Sequence, residues 1–175
     1  MCDWRTVESE VEYDTPWYTG GYDLVEQPDG TEKRYYWAEI APAVVVAAVD
    51  GEEVVLVEQY RPVVGETHLE LVAGLVEEGE TYEEAGAREL REETGYEAGR
   101  VELLEEFWVA TGVLCHRRGI VFAEDLSPGE PERGDDEFIR VRTRPIEEAI
   151  EVAREPPAND ATIEGLLLAG ADGYL

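Results

Sequence analysis

Cysteine is nearly missing from this chain: Cys2 and Cys115 are the only two in 175 residues, one near the start and one well inside. Two thiols so spaced make neither a disulfide framework nor a metal site, and they suit a reducing, cytoplasmic compartment. Long apolar runs are missing too. No stretch approaches the roughly 18 consecutive apolar residues of a membrane-spanning helix, and the opening MCDWRTVESE lacks the basic and apolar regions of a signal peptide. Basic residues are scarce: 14 Lys and Arg stand against 42 Asp and Glu, a formal net charge of -28. Such a surface repels nucleic-acid backbones and anionic membranes, so neither is an expected partner.

Acid excess on this scale first suggests disorder, but 43% hydrophobic residues arranged in clear strand patterns exclude it. The composition is similar to that of proteins from a high-salt cytoplasm, where short-range screening removes most self-repulsion. Charge here reports habitat rather than function. At low ionic strength the uncompensated charges repel over roughly 10–30 Å, and the protein is expected to lose structure. Circular dichroism melts across a salt titration check this; an unchanged cooperative melt at millimolar salt would refute it.

What is present begins with aromatics. Trp4, Tyr13, Trp17, Tyr18, Tyr22, Tyr35, Tyr36 and Trp37 crowd the first 40 residues. Tyr22 to Trp37 predicts a hairpin turning at Pro28-Asp29-Gly30, so residues 1–40 read as a small β subdomain and 41–175 as the main domain. An aromatic stripe of this kind serves as core, as subunit interface or as a ligand platform. Ala43–Val49 and Glu53–Tyr60 are apolar β-branched runs joined at Asp50-Gly51, a strong hairpin signal, and Glu66–Val72 is a further strand. Val101–Val109, Gly119–Leu126 and Phe138–Thr143 also read as strands, with a Gly- and Pro-containing acidic loop at Ser127–Asp136. Pro145 is expected at the first position of a helix, and Asp160 is expected to cap a last helix through Leu168. Strands mixed with two or three helices make an α/β fold.

The most ordered pattern is GLVEEGETYEEAGARELREETGY, from Gly74 to Tyr96. On a helix Glu89, Glu92 and Glu93 stand at i, i+3 and i+4 and share one face, while Gly86, Ala87, Leu90 and Thr94 form a small, apolar one. Thr81 with Glu84 makes a capping box, and Gly95 is placed to end the helix in the left-handed conformation. Three carboxylates on one face repel one another unless a cation sits between them, and a divalent metal answers that need; a solvated acidic face is the other reading. Arg88 lies four residues from both Glu84 and Glu92 and is expected to hold acids in position.

The stretch resembles the Nudix box: glycine, five residues, glutamate, seven residues, Arg-Glu, an aliphatic residue, any residue, Glu-Glu, any residue, glycine, aliphatic. Gly74, Glu80, Arg88, Glu89, Leu90, Glu92, Glu93 and Gly95 meet it, and Tyr96 departs from it at a packing position. The resemblance implies a Nudix-type α/β/α sandwich with a mixed sheet, and an Mg²⁺-dependent (Mn²⁺ as second choice) pyrophosphohydrolase of a nucleoside diphosphate linked to another group. It implies metal ligands at the Ala73 carbonyl, Glu89, Glu92 and Glu93, and a catalytic set of Arg88, Glu92 and a general base on a late loop. Glu137 matches that place, beside Asp135 and Asp136; a solvated acidic loop is the other reading of the three. Glu58-Gln59-Tyr60-Arg61-Pro62 and Leu69-Glu70-Leu71-Val72-Ala73-Gly74 look like the ADP-ribose pyrophosphatase branch, which implies ADP-ribose or another ADP-sugar as substrate and substrate contacts at Arg61 and Glu70. An ordinary strand-end ion pair is the other reading of those two.

Relatives in that branch are often homodimers whose N-terminal strands reach the partner's site, which brings Trp37 into the substrate set. The branch often carries Ser-Pro-Gly where this chain has Ala110-Thr111-Gly112, and a glutamate where it has His116. His116 reads either as a contact to phosphate or terminal sugar or as a plain structural histidine. Another nucleotide sugar, a dinucleotide polyphosphate, or a non-catalytic nucleotide-sensing role are the competing functions.

Overall fold

The computed structural model describes residues 4–134 and 138–175. In chain order it opens with three strands, β1 (Arg5–Asp14), β2 (Thr19–Glu26) and β3 (Glu32–Glu39). Four follow, β4 (Ala43–Asp50), β5 (Glu53–Arg61), β6 (Glu66–Glu70) and β7 (Val72–Leu75). Helix α1 (Tyr82–Thr94) leads to β8 (Tyr96–Trp108), β9 (Leu114–Cys115), β10 (Arg117–Pro128) and β11 (Arg140–Pro145). Helices α2 (Ile146–Ala153) and α3 (Asp160–Ala171) come last. Among the described residues no helix is long and apolar enough to cross a membrane.

The chain forms two compact units. The smaller takes the residues up to Pro42 together with Phe107–Arg118, and the larger takes Ala43–Glu106 and Gly119–Leu175. The segment Phe107–Arg118, which the sequence assigns to the main domain, joins the smaller unit because β9 pairs with β3 and Ala38 N–H donates to the Val113 carbonyl.

The smaller unit is a four-stranded sheet in the order β1-β2-β3-β9. The expected hairpin is there: β2 and β3 pair antiparallel, and Asp29 Oδ1 accepts from Thr31 N–H in the turn. The outer strand β1 was not foreseen. All ten of its residues are exposed, and its register against β2 slips between Thr6 and Glu8 and again between Val11 and Tyr13. Of the described aromatics in the first 40 residues only Tyr22 is buried, edge-on to Tyr36 with its hydroxyl donating to Glu10, whereas Trp4, Tyr13 and Trp17 are exposed.

In the larger unit the sheet runs β11-β5-β4-β10-β8, with β6 added to β5 and β7 to β4. The central run Val44-Val45-Val46-Ala47-Ala48 is apolar at every position because β4 is covered on both faces. Alternate residues show which helix covers which face. A Cβ on Gly86 of α1 would meet Val44, Val46 and Val121, whereas a Cβ on Gly165 of α3 would meet Leu71, Val45 and Ile120. Even-numbered residues of β4 therefore face α1, and Val45 faces α3. The missing side chains let each helix backbone lie close to the sheet, and full burial of each valine stabilises by about 1.5–3 kcal/mol. Mixed sheets with helices are the α/β architecture expected.

Several boundaries differ from expectation, among them the start of β8, which is Tyr96 rather than Val101, and three have a tertiary reason. Glu66–Val72 is two strands, not one: Leu71 N–H turns to Thr162 Oγ1 (3.1 Å), and the chain switches partner from β5 to β4. Pro145 is the cap of α2 rather than its first residue, because its ψ of 137° is still extended and it pairs with Glu53. Asn159, not Asp160, caps α3; its extended backbone lets Oδ1 accept from Thr162 N–H at 2.8 Å.

Candidate active site

Helix α1 starts and stops where local chemistry dictates. Thr81 Oγ1 accepts from Glu84 N–H (3.2 Å), and Glu84 returns the bond by accepting from Thr81 N–H (2.9 Å). Gly95 ends the helix at φ 82° and donates to the Arg91 carbonyl. Leu90, Ala85 and Gly86 bury one face, which turns the face bearing Arg88, Glu89 and Glu92 away from the sheet's hydrophobic contacts.

Arg88 is the hub of that second face. Its Nε and Nη2 donate to the two oxygens of Glu80 (2.9 and 3.0 Å), a bidentate fork. Nη1 donates to Glu89 (2.8 Å) and Glu92 (3.2 Å), and Nη2 also reaches the Leu75 carbonyl (2.8 Å). Glu84, expected as a partner of Arg88, is taken by the capping box instead, and Glu80 of the preceding loop fills the role. Glu80 also accepts from Glu77 N–H, so one carboxylate ties the loop to the helix. The hydrogen bond from Arg88 holds the Glu80 carboxyl below the ordinary carboxylate range, and the same bond raises the Arg88 guanidinium.

The Glu89 carboxylate lies directly over Gly74. A Cβ at that position would overlap all three atoms of the carboxyl group, so glycine is required there by space. Glu93 is 5% exposed, and Glu70 is the other buried carboxylate among the described residues. The last turn of α1 is tied to the loop that follows β10: Glu132 N–H donates to the Glu92 carbonyl (3.0 Å), and Arg133 Nε to that of Glu93 (2.7 Å). Arg133 Nη1 also donates to the Ile139 carbonyl (2.9 Å). Sequence reasoning passed over Arg133, although it is the one basic residue within the acidic loop Ser127–Asp136.

Among the described residues no three carboxylate, imidazole or thiolate groups are gathered in the spacing of a metal shell, because Glu89 and Glu92 turn to Arg88. The donor chemistry nonetheless fits a hard cation. Every candidate is an oxygen, from the carboxylates of Glu89, Glu92 and Glu93 and the carbonyl of Ala73 next to Gly74, and hard divalent ions take oxygen ligands.

Arg61 and Glu70 are joined. Arg61 Nε donates to Glu70 Oε2 at 2.8 Å, Gln59 Nε2 donates to the same oxygen, and Asn159 Nδ2 donates to Oε1. That Gln59 and Asn159 would meet Glu70 was not legible in the sequence, since the contact depends on a strand and a helix coming together. Trp37 and His116 belong to the smaller unit. Trp37 is half-buried with its indole N–H toward Asp23 (3.3 Å), and His116 is buried with no hydrogen-bond partner for Nδ1 among the described residues. Ala110 takes a positive φ of 47° and its carbonyl accepts from Val113 and Leu114, making a tight turn at Ala110-Thr111-Gly112. Glu137, with Asp135 and Asp136, lies outside the described residues.

The sequence matches the NUDIX domain family over residues 39–166. It is 33% identical over 140 residues to the ADP-ribose pyrophosphatase of Bacillus subtilis (strain 168), covering 78% of this chain and 76% of that protein. It is also 33% identical over 142 residues to the methanol dehydrogenase activator of Bacillus methanolicus, covering 79% and 77%. Among solved structures, one described as a crystal structure of ADP compounds hydrolase superposes with a TM-score of 0.87 at 23% identity, covering 98% of this chain and 97% of that one. At that identity the likeness is one of fold.

Proposed function

The chain belongs to the NUDIX domain family, and on that premise we propose that it hydrolyses the pyrophosphate link of a nucleoside diphosphate joined to a sugar, with ADP-ribose or another ADP-sugar as substrate and AMP and a sugar phosphate as products. It is a Nudix hydrolase of the ADP-ribose pyrophosphatase-like kind. The observation that carries the reading is Arg88 bridging Glu80, Glu89 and Glu92 on the helix that follows Gly74.

The residues that would hold Mg²⁺, or Mn²⁺ in its place, are Glu89, Glu92, Glu93 and the Ala73 carbonyl. When bound, the ion supplies positive charge beside the phosphoryl oxygens. Arg88 keeps Glu89 and Glu92 on one side of the helix, and Gly74 leaves room for the Glu89 carboxylate. Arg61, half-exposed and anchored by Glu70, offers its guanidinium to the substrate's anionic groups. Water attacks one phosphorus: a new P–O bond forms, the bridging P–O bond breaks, and the bridging oxygen leaves with the other phosphate. Glu137 takes the proton of that water, a contribution of about 10²–10⁴-fold. A pair of copies is the assembly that the exposed Trp4, Tyr13 and Trp17 support, and light scattering reads it directly.

A screen of nucleoside diphosphate derivatives with Mg²⁺ in high salt, with products separated by ion-exchange chromatography, tests the function. AMP and ribose 5-phosphate in equal amounts from ADP-ribose are expected. Glu137→Gln should lower kcat with little change in KM, while Asp135→Asn and Asp136→Asn stay mild. Tight nucleotide binding without cleavage by the parent would replace the enzyme with a nucleotide sensor.

A further inference from the structure

The Glu70 carboxylate is oriented from both sides. Its Oε2 carries two donors, Gln59 Nε2 at 2.9 Å and Arg61 Nε at 2.8 Å, with Arg61 Nη2 at 2.7 Å. Its Oε1 carries Asn159 Nδ2 alone, at 3.0 Å. Asn159 is itself immobilised, because its Oδ1 caps α3 by accepting from Thr162 N–H. Thr162 Oγ1 in turn accepts from the N–H of Leu71, the residue after Glu70. Glu70, Asn159, Thr162 and Leu71 thus close a ring of hydrogen bonds with one peptide link, within a site where Thr162 and Glu70 are both buried. The ring ends on the half-exposed Arg61: the Glu70 side chain is 10% exposed and that of Arg61 43%. Arg61 Nη1 has no partner among the described residues.

A carboxylate loaded on one oxygen can pivot about its terminal torsion, whereas one loaded on both cannot without losing a bond. We propose that Asn159 is a positioning residue for substrate: it fixes the Glu70 carboxylate, and through it the Arg61 guanidinium, in the orientation that meets an anionic phosphate of the nucleoside diphosphate derivative. This rests on the hydrolase reading above. It assigns to the cap of α3 a part in substrate binding, in addition to starting the helix. Arg61 supplies the contact, Glu70 aims it, and Asn159 prevents Glu70 from turning. The other donor on Glu70, Gln59, shares its oxygen with Arg61 and so cannot substitute for the bond to Oε1.

The cap and the donor are separable by substitution. Asn159→Ser keeps a good capping oxygen and loses the amide donor; Asn159→Asp keeps the cap and sets a second carboxylate against Glu70. Asn159→Ser is expected to melt close to the parent in high salt, and Asn159→Asp somewhat lower because of the like charge beside Glu70. KM for the substrate should rise about tenfold in Asn159→Ser and further in Asn159→Asp, with kcat within about twofold, the pattern of lost uniform binding. Glu70→Gln removes the charge that aims Arg61, so in that background Asn159→Ser should add less than about twofold to KM. An active parent whose Asn159→Ser variant keeps its KM overturns the inference alone. So does a KM increase of equal size with and without Glu70. A parent that cleaves no nucleoside diphosphate derivative overturns the hydrolase reading and this inference with it.

Discussion

Glu93→Gln is expected to fold like the parent and to turn over substrate about a hundredfold more slowly or worse, a loss of roughly 2.7 kcal/mol of transition-state stabilisation. The substitution is nearly isosteric, and the side chain is 5% exposed, so its shape matters as much as its charge. The near-isosteric amide keeps the packing of the last turn of α1, so the melting temperature is expected to stay near the parent's. Activity falls while stability holds, and this separates a metal-holding carboxylate from one that merely packs. Steady-state kinetics with Mg²⁺ beside a thermal melt give both numbers. Near-parental turnover in a folded Glu93→Gln protein would sink the assignment of the acidic face as a metal site.

Arg88→Met should be the most damaging change to the fold of the site. The guanidinium is 18% exposed and compensates Glu80, Glu89 and Glu92 together, so its loss leaves three carboxylates facing one another. Breaking such a partly buried cluster costs about 3 kcal/mol, read as a shift in the urea midpoint in high salt. Arg88→Lys should rescue little, because one ammonium cannot reproduce the fork to Glu80 while reaching Glu89, Glu92 and the Leu75 carbonyl. The cluster also has an acid limb. The Glu80 carboxyl is held below its ordinary 4.5 by Arg88, so its stabilisation is complete above that value and is lost as pH falls through the lower folded one. Arg88→Met should flatten this part of the stability profile. An unchanged urea midpoint would show that the cluster is solvated and carries no stability.

The box helix was legible because its determinants are local. Thr81 and Glu84 are three residues apart, Gly95 sits just past the last turn, and the spacing of Glu89, Glu92 and Glu93 sets their face before any tertiary contact forms. What escaped was long-range or evenly balanced. Leu71 breaks a strand only because Thr162 is waiting 91 residues away. Asn159 and Asp160 are both good caps by type, and the bond from Asn159 to Glu70 is a tertiary contact that no local pattern reveals. Arg88 could be assigned to the acids by its spacing, yet i±4 geometry cannot see a loop residue such as Glu80 folding back onto the helix. The outer strand β1 gave no burial alternation because neither of its faces is covered.

That outer strand has a consequence for how the molecule behaves in company. An uncovered edge of ten residues is a template on which another chain can add itself, the first step toward filaments. In dilute buffer the row Glu8, Glu10 and Glu12 makes such stacking repulsive, but in brine the Debye length shrinks to about 3 Å at 1 M, and like charges on approaching strands scarcely feel one another. What then keeps the edge from growing is shape: the two register slips, at Thr6–Glu8 and Val11–Tyr13, twist the strand so that no straight partner can follow it along its length. Wherever salt screens charge, an open edge has to be guarded by geometry, since electrostatic repulsion is the one defence that salt removes.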